Sequence, residues 1–331
     1  MGLLLEVGKK GMPLKQEAIL AQDLQRVKSR LHDEQSAVEP YANQYRALLD
    51  NHGKMLRGSL VILFARMQRG AAARLDDSVI TGAACIEMLH LATLVHDDVV
   101  DDADMRRNKP TVQTIVGNKA AIYLGDLILS RYIEIMAEIA PDLDFMREQA
   151  SILGKILNGE LGQESARHHT ATTIDHYISS ITGKTAVLFE HSCITGLRLS
   201  TDNYPNQSMI EAAAKFGRHL GIAFQIADDI EDFDLTDDTG KPKLEDISDG
   251  IFTLPVLIAR DENPRITQML RDNDVHAVLD YLHNNPQVMD ASKSVAKKHV
   301  AQAKELLDEM SIEQGIRELL MSMLNRFSAG I

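Results

Sequence analysis

Two short aspartate clusters have the composition and spacing of ligands for a divalent metal ion. The first cluster runs from Asp97 to Asp101 as Asp-Asp-Val-Val-Asp, and the second runs from Asp228 to Asp232 as Asp-Asp-Ile-Glu-Asp. Side chains four residues apart share one face of a helix, so the outer carboxylates of each cluster repel each other. Mg²⁺ offsets such repulsion, because it prefers oxygen ligands and shares them among carboxylates, waters and substrate phosphates. The clusters therefore predict metal-assisted chemistry on a phosphorylated substrate.

A solvated acidic helix end is the simpler interpretation of either cluster alone. Two features weaken that interpretation. Each cluster directly continues an apolar helical segment, and the same arrangement occurs twice, about 130 residues apart. We therefore expect both clusters at the rim of the protein interior, and we expect Asp102 and Asp104 to be ordinary surface charges.

Basic residues accompany the first cluster. Arg106 and Arg107 follow it at once, and Lys54 and Arg57 stand at an expected helix start. Taken alone, these are ordinary surface charges, but beside a metal–carboxylate site an arginine binds phosphate oxygens with two hydrogen bonds. Gly183-Lys184-Thr185 resembles the end of a nucleotide-binding loop, but Ile178 stands where that motif needs glycine and the segment is helical, so we reject a nucleotide loop.

Composition limits the class of protein. The 331 residues are 44% hydrophobic and carry a formal net charge of −13, which argues against a nucleic-acid partner. The two cysteines, Cys85 and Cys193, suit free thiols in a reducing compartment better than a disulfide or a zinc site. No signal peptide and no transmembrane segment is predicted, so the expected location is cytoplasmic.

Helical spacing dominates the chain, and strand-like alternation is almost absent. The segment 76–101 is apolar on every side in its middle, which is typical of a helix buried inside a large helical protein. We therefore predict an all-α fold, with a single domain over residues 1–331 and a dozen or so helices packed around a central cavity. The other predicted helices are 18–31, 118–140, 144–165, 174–197, 207–232, 287–310 and 312–327.

These motifs resemble the trans-isoprenyl (polyprenyl) diphosphate synthases over most of the chain. Residues 87–101 with Met105-Arg106-Arg107 are similar to the first aspartate-rich region of that family, and residues 221–232 are similar to the second. Further family motifs occur in the same order and approximate spacing: residues 117–119, 125–126, 159–163 and 184–185 lie between the two regions, and residues 253–255 follow the second.

The resemblance implies a Mg²⁺-dependent prenyltransferase of the isoprenoid-synthase fold that elongates an allylic diphosphate with isopentenyl diphosphate. The implied metal ligands are Asp97, Asp98, Asp101 and Asp228, with Asp229 and Asp232 as direct or water-mediated helpers. The implied ligands of the allylic diphosphate are Arg106, Lys184 and Lys241, with Thr185 and Gln225 nearby. The implied ligands of isopentenyl diphosphate are Lys54, Arg57, His90 and Arg107. Homodimerisation is expected from the family alone.

Two aspects of the resemblance concern specificity. The family's first basic motif reads Gly-Gly-Lys-Arg/Lys-x-Arg-Pro, and here Met55 and Gly58 depart from it. Short-chain members usually carry a bulky aromatic residue four or five positions before the first aspartate, where this chain has Ala92 and Thr93. Met88 and Leu89, one turn further down, are not large plugs either. A medium or long product is therefore expected, for a respiratory quinone side chain.

Several alternatives stay open on the sequence. The protein is either a synthase acting alone or a catalytic subunit that needs a hetero-oligomeric partner. A shorter-chain farnesyl or geranylgeranyl diphosphate synthase is the next possibility. A non-catalytic subunit is disfavoured because both clusters are intact, and a terpene cyclase does not need the second basic group. A calcium-binding protein would need a twelve-residue loop that this chain lacks.

Overall fold

The computed structural model is almost wholly helical and describes residues 15–37, 39–107, 109–200, 205–233 and 245–329. The helices in chain order are α1 (Lys15–His32), α2 (Ala42–Asp50), α3 (Leu56–Arg69), α4 (Asp77–Val100), α5 (Val112–Val116), α6 (Asn118–Ile139), α7 (Leu143–Ser165), α8 (Ile174–Ile181), α9 (Val187–Leu199), α10 (Gln207–Glu231), α11 (Glu245–Ser248), α12 (Leu254–Glu262), α13 (Arg265–Arg271), α14 (Val275–Asn284), α15 (Pro286–Glu309) and α16 (Gln314–Ala329). A π-helical turn, Thr182–Ala186, joins α8 to α9.

The all-α prediction is confirmed, and each predicted helical segment is helical to within a few residues. The strands of the described chain are β1 (Met105–Arg106) and β2 (Lys109–Pro110), which form a small antiparallel ribbon after α4. The shorter helices, including α2 and α13, were not predicted, because seven to nine residues carry too little periodicity to identify a helix.

Two compact units divide the chain, and each draws on three separate stretches. Unit 1 contains the described residues of Met1–Ser151, His191–Ala214 and Met310–Ser322. Unit 2 contains those of Ile152–Glu190, Lys215–Glu309 and Met323–Ile331. The single-domain expectation for residues 1–331 stays a prediction.

Helix α4 is the centre of unit 1. It packs against α1, α3 and α6, and its buried side chains lie on all sides of the helix, as the sequence predicts. By length and composition α4 is apolar enough to cross a membrane, although two thirds (67%) of its most apolar stretch is buried inside the protein. Such burial is typical of a core helix. Cys85 lies within α4, and both it and Cys193 are buried free thiols.

Unit 2 has its own apolar core. Most of its members come from α8, α10 and the helices from α12 to α15, and they include Tyr177, Ile226, Leu254, Leu257, Val278 and Ala296. Tyr177 brings a phenol group into this otherwise apolar cluster. A buried phenol needs a hydrogen-bond partner, so this side chain links the core of unit 2 to polar residues.

Candidate active site

The first aspartate cluster occupies the C-terminal end of α4. Asp97 is half-buried, Asp98 is buried at 5% exposure and Asp101, which caps the helix, is exposed. The backbone N–H of Asp101 donates to the carbonyl oxygen of Asp97 at 2.8 Å, so both side chains belong to one helical turn. The C-terminal end of a helix carries a partial negative charge. Carboxylates at that position add to the charge, and the turn therefore favours a bound cation.

The second cluster repeats this arrangement at the end of α10. Asp228 is half-buried, Asp229 is buried at 5% exposure and Asp232 is again half-buried just past the helix end. The arrangement that occurs twice in the sequence, an aspartate cluster at the end of an apolar helix, thus also occurs twice in the structure. In each cluster the second aspartate points into the protein, while the first remains partly accessible.

The donor set of both clusters fits a hard divalent cation. It consists of carboxylate oxygens, one helical turn apart, at helix ends whose own dipoles favour positive charge. Among the described residues, no three His, Cys, Asp or Glu side chains converge as a complete metal cage. Mg²⁺ does not require one, because it usually takes one or two carboxylates and completes its shell with waters and substrate phosphates.

Asp98 is held by the basic ribbon that follows α4. Nε of Arg106 donates to Oδ1 of Asp98 at 2.5 Å, and this contact opposes the effect of burial, which raises the pKa of the Asp98 carboxyl. Gln113 donates through Nε2 to the backbone oxygens of Asp98 and Ala103, which fixes the intervening turn. The structure thus brings Arg106 to the first cluster, as predicted. The metal-ligand role of Asp98 stays a prediction.

Arg107 turns away from Arg106 and reaches the loop before α3. Its backbone has a left-handed φ of 52°, and its Nη1 donates to the carbonyl oxygen of Asn51 at 3.1 Å. A Cβ atom at Gly53 would lie 2.5 Å from this guanidinium, so a side chain at that position would displace the end of Arg107. Lys54 is exposed in the same loop. Two residues of the predicted isopentenyl diphosphate group, Lys54 and Arg107, therefore meet at one loop.

The remaining members of that group lie close enough to interact electrostatically. Burial lowers the pKa of Arg57 to about 10, the charge of Glu87 opposes this shift, and Arg57 remains cationic at neutral pH. Burial also lowers the pKa of His90 well below its usual value, and the positive charges of Arg57, Arg107 and Arg106 lower it further. His90 is thus a neutral hydrogen-bonding group at neutral pH.

In unit 2, Lys184 lies on the π-helical turn between α8 and α9. Its Nζ is 3.0 Å from a carboxylate oxygen of Glu160 on α7. The two segments approach closely because glycines face each other: a Cβ atom at Gly159 would lie 2.2 Å from the backbone nitrogen of Lys184 and 2.5 Å from the carbonyl carbon of Gly183. The helical setting predicted for Gly183-Lys184-Thr185 is confirmed, since the segment is a π-helical turn between two α-helices.

A hydrogen-bond chain connects the π-helical turn to the second aspartate cluster. Oγ1 of Thr185 donates to Oε1 of Gln225 at 2.6 Å, and Nε2 of Gln225 donates to Oδ1 of Asp229 at 2.8 Å. The hydroxyl of Tyr177 donates to the other oxygen, Oδ2, at 2.5 Å. Burial raises the pKa of Asp229 to about 7, and these two donors oppose the shift. Asp229 is therefore an anchoring residue for the end of α10.

Sequence reasoning identified most, but not all, of these residues. Tyr177 was missed, because a single tyrosine 52 positions before Asp229 leaves no pattern to detect. Glu160 and Glu87 belong to the family motifs in the sequence, but the sequence predicts no role for either side chain. Met88, Leu89 and Ala92 are buried in α4, and Thr93 is partly exposed. Lys241 lies outside the described residues, so its predicted contact with a diphosphate stays a prediction.

Comparison with known proteins identifies the family. The family described as Polyprenyl synthetase matches residues 38–282, which is most of the chain. The chain belongs to the polyprenyl synthetase family. Among its relatives, mouse all-trans-polyprenyl-diphosphate synthase PDSS1 is 34% identical over 248 residues, covering 74% of this chain and 59% of the mouse protein. This polyprenyl synthetase therefore spans less than two thirds of that relative's length.

Two further relatives bear on the site. Heptaprenyl diphosphate synthase component 2 of Geobacillus stearothermophilus is 34% identical over 244 residues, covering 73% of this chain and 74% of the Geobacillus protein. The crystal structure of a polyprenyl synthase from Caulobacter crescentus, complexed with calcium and isoprenyl diphosphate, aligns with a TM-score of 0.84 and 26% identity, covering 95% of this chain and 96% of the other. This polyprenyl synthetase thus shares its fold with a protein that binds a divalent cation together with a diphosphate.

The contact between Gly159 and the π-helical turn gives a first prediction. We expect Gly159→Ala to lower the free energy of unfolding by about 1–3 kcal/mol, because the added methyl group would overlap backbone atoms of Gly183 and Lys184. Gly162→Ala, one turn along α7, is the matched control, since its Cβ would meet only Oγ of Ser180 at an ordinary 3.6 Å. Urea unfolding of both variants measures the difference. Equal midpoints would contradict the close approach of α7 to the turn.

Proposed function

We propose that this polyprenyl synthetase condenses isopentenyl diphosphate with an allylic diphosphate to make a medium- or long-chain, all-trans polyprenyl diphosphate. One observation carries the proposal. Unit 1 holds a carboxylate cluster with Arg106 against it, and beside them a second cationic group of Arg57 and Arg107 around a neutral His90. A chain-elongating enzyme must hold two diphosphates at once, and two adjacent basic groups meet that need.

Mg²⁺ is the proposed cofactor. Its proposed ligands are Asp97, Asp98 and Asp101 at the end of α4 and Asp228 at the end of α10. When bound, Mg²⁺ stabilises the negative charge that develops on the departing pyrophosphate. Asp98 would combine this task with its hydrogen bond from Arg106. The Caulobacter relative, complexed with calcium and isoprenyl diphosphate, supports a divalent cation at a site of this kind.

The basic side chains would divide between the two substrates. Arg106, Lys184 and Lys241 would bind the allylic diphosphate through charge-assisted hydrogen bonds, while Thr185 and Gln225 hold the adjacent turn in place. The second group, which consists of Lys54, Arg57, His90 and Arg107, would bind the diphosphate of isopentenyl diphosphate. His90 would contribute an N–H donor rather than a charge, because burial and, to a smaller extent, the neighbouring arginines lower its pKa and keep it neutral.

The reaction would proceed by ionisation, condensation and elimination. The allylic C–O bond breaks, leaving an allylic cation and pyrophosphate, and the side chains that bind this diphosphate stabilise its added charge. The double bond of isopentenyl diphosphate then forms the new C–C bond with the cation. A proton leaves the adduct, and the released pyrophosphate can accept it, so no protein base is required.

A direct assay tests this function. With Mg²⁺, isopentenyl diphosphate and a short allylic diphosphate, we expect the purified chain to produce polyprenyl diphosphates, and we expect a chelator to abolish the reaction reversibly. Asp97→Asn should lower kcat by about a hundredfold or more, because it removes a carboxylate from the metal site. Asp102→Asn is the control, since Asp102 is an exposed acid just beyond the cluster. The measurement is the rate and chain length of labelled product.

The other outcomes of this assay separate the alternatives. Product that forms only after a partner protein is added would indicate a catalytic subunit, as the name of the Geobacillus relative, component 2, suggests for that protein. Cyclised hydrocarbon would indicate a terpene cyclase. Equal loss of activity in the Asp97 and Asp102 variants would contradict the proposed ligand set.

We also propose that residues of α4 set the product length. Ala92 and Thr93 lie one turn before Asp97, and neither is large enough to block a chain that grows along this helix. The hydroxyl of Thr93 is satisfied within its own helix, because it donates to the carbonyl oxygen of His90 at 2.8 Å. Thr93 is partly exposed, whereas Ala92 is buried at 1% exposure. We therefore propose that the product is long enough to serve as the side chain of a respiratory quinone.

An aromatic ring on this turn should shorten the product. We expect Ala92→Phe and Thr93→Phe to shift the chain-length distribution towards farnesyl and geranylgeranyl diphosphate, because a ring fills the space of several chain carbons. Thr93→Phe is the safer variant, since the buried Ala92 has little room for a larger side chain. Thr93→Val, which keeps the volume, should leave the distribution unchanged. Chromatography of the dephosphorylated products measures it, and an unaltered length in both Phe variants would contradict this proposal.

A homodimer is proposed from one face of α6. The helix packs against α4 on one side, while Ile122, Tyr123 and Ile133 on its other side are 41%, 62% and 42% exposed. Large exposed apolar side chains on one helix are typical of a protein interface. We propose that a second copy of the chain covers this face of α6.

The cytoplasmic location predicted from the sequence also stays a proposal.

The oligomeric state can be measured directly. We expect a dimer by size-exclusion chromatography with light scattering, and we expect Tyr123→Glu to shift it towards monomer, because a charge in an apolar interface loses its hydration. Tyr123→Phe is the matched control and should remain dimeric. A Glu variant as dimeric as the Phe variant would place the interface elsewhere.

A further inference from the structure

Glu87 is a buried acid in the apolar middle of α4. It is 6% exposed, it lies ten residues before Asp97, and no step of the proposed reaction uses it. Burying a carboxylate is unfavourable unless hydrogen bonds and opposite charges compensate, so its neighbours identify its task. Those neighbours belong to the first turn of α3 and to the arginines beside it.

The first turn of α3 lacks a capping side chain of its own. Met55 occupies the N-cap position in a left-handed conformation with φ 52°, and its side chain makes no capping hydrogen bond. The first N–H groups of a helix have no partner within the helix and need acceptors from outside. The carboxylate of Glu87 supplies one: Oε1 accepts the N–H of Gly58 at 2.7 Å, and the carboxylate also accepts from the backbone N–H of Arg57. Glu87 therefore caps α3 from the neighbouring helix.

The same carboxylate also opposes the charges around it. Its negative charge favours the protonated forms of Arg57 and Arg107, which would otherwise lose stability through burial. Arg57 thus has both its backbone N–H and its side-chain charge compensated by one residue. A displacement of Glu87 would move the backbone of Arg57 and weaken the charge balance together.

Gly58 provides the backbone N–H on which this arrangement depends. The family motif has proline at this position, and proline has no N–H to donate. Here Gly58 donates to Glu87, and a Cβ atom at position 58 would lie 3.2 Å from the same oxygen, Oε1. The departure from the motif thus provides the hydrogen bond that holds Glu87 to α3.

We propose that Glu87 is a positioning residue for the isopentenyl diphosphate site. Its carboxylate caps the first turn of α3 and thereby fixes the backbone from which Arg57 binds the diphosphate. This inference rests on the proposed function, because it takes isopentenyl diphosphate as the ligand of Arg57. Glu87 itself does not touch the substrate. Its effect should therefore appear in affinity for that one substrate and not in the chemical step.

The test compares two buried-carboxylate variants, Glu87→Gln and Asp23→Asn. We expect Glu87→Gln to raise the KM for isopentenyl diphosphate about tenfold, as expected for a weakened hydrogen bond to a charged group, with kcat and the KM for the allylic substrate nearly unchanged. Asp23 pairs with Arg66, which lies towards the other end of α3, with Oδ2 accepting from Nε of Arg66 at 3.0 Å. Asp23→Asn should lower stability without changing either KM. Equal KM changes in both variants, or a fall in kcat alone, would overturn the proposal.

A second pair of variants does not depend on the folding of Glu87→Gln. Gly58→Ala and Gly58→Pro both place a carbon next to Glu87, but only proline removes the N–H. We expect the proline variant to bind isopentenyl diphosphate about tenfold more weakly than the alanine variant, in calorimetric titration without metal or allylic substrate. Equal affinities of the two variants would overturn the proposal.

The wild-type titration separates this inference from the proposed function. Wild-type protein that binds isopentenyl diphosphate but makes no product refutes the elongation proposal, and the variant titrations still decide the task of Glu87. Wild-type protein that does not bind isopentenyl diphosphate refutes both.

Discussion

Helix α4 has no polar face along most of its length, and this constrains the whole of unit 1. Because its middle, residues 79–89, is buried on almost every side, α1, α3 and α6 must cover it, and it becomes a rigid element whose solvent-accessible residues lie mainly towards its two ends. Asp97 and Asp101 occupy one of those ends. Their carboxylates are therefore fixed in space by packing that extends over six turns, which is the preorganisation that a metal–diphosphate site needs.

Each buried acid near the candidate site is tied to a particular donor. Asp98 accepts from Arg106, Glu87 accepts from the first turn of α3, and Asp229 accepts from Tyr177 and Gln225. Within each cluster, the buried second aspartate anchors the helix end through these contacts. The first and last aspartates of the cluster are more accessible to a cation. Asp98 also places a negative charge beside Arg106, and Glu87 opposes the positive charges of Arg57 and Arg107. These negative charges reduce the repulsion among the arginines.

The sequence predicted the features that arise from local pattern. The apolar helices ending at Val100 and Glu231, the helical setting of Lys184 and the basic loop before α3 all follow from periodicity and motif spacing. The missing features depend on contacts between distant residues. Neither the hydrogen bond from Tyr177 to Asp229 nor the capping of α3 by Glu87 leaves a periodic signal, since each joins residues brought together only by the tertiary fold. The family resemblance predicted from the motifs is confirmed by the family match over residues 38–282.

The π-helical turn at Thr182–Ala186 has a consequence for how this protein can evolve. A π turn holds one more residue than an α turn in nearly the same rotation, so it absorbs an extra residue within a continuous helix. Loss of one residue there would therefore leave α9 close to its present orientation relative to α8. The same loss in the middle of α9 would turn every later side chain by about 100°. The π turn is thus the position at which this helical segment can change its length with the least disturbance of the packing on either side.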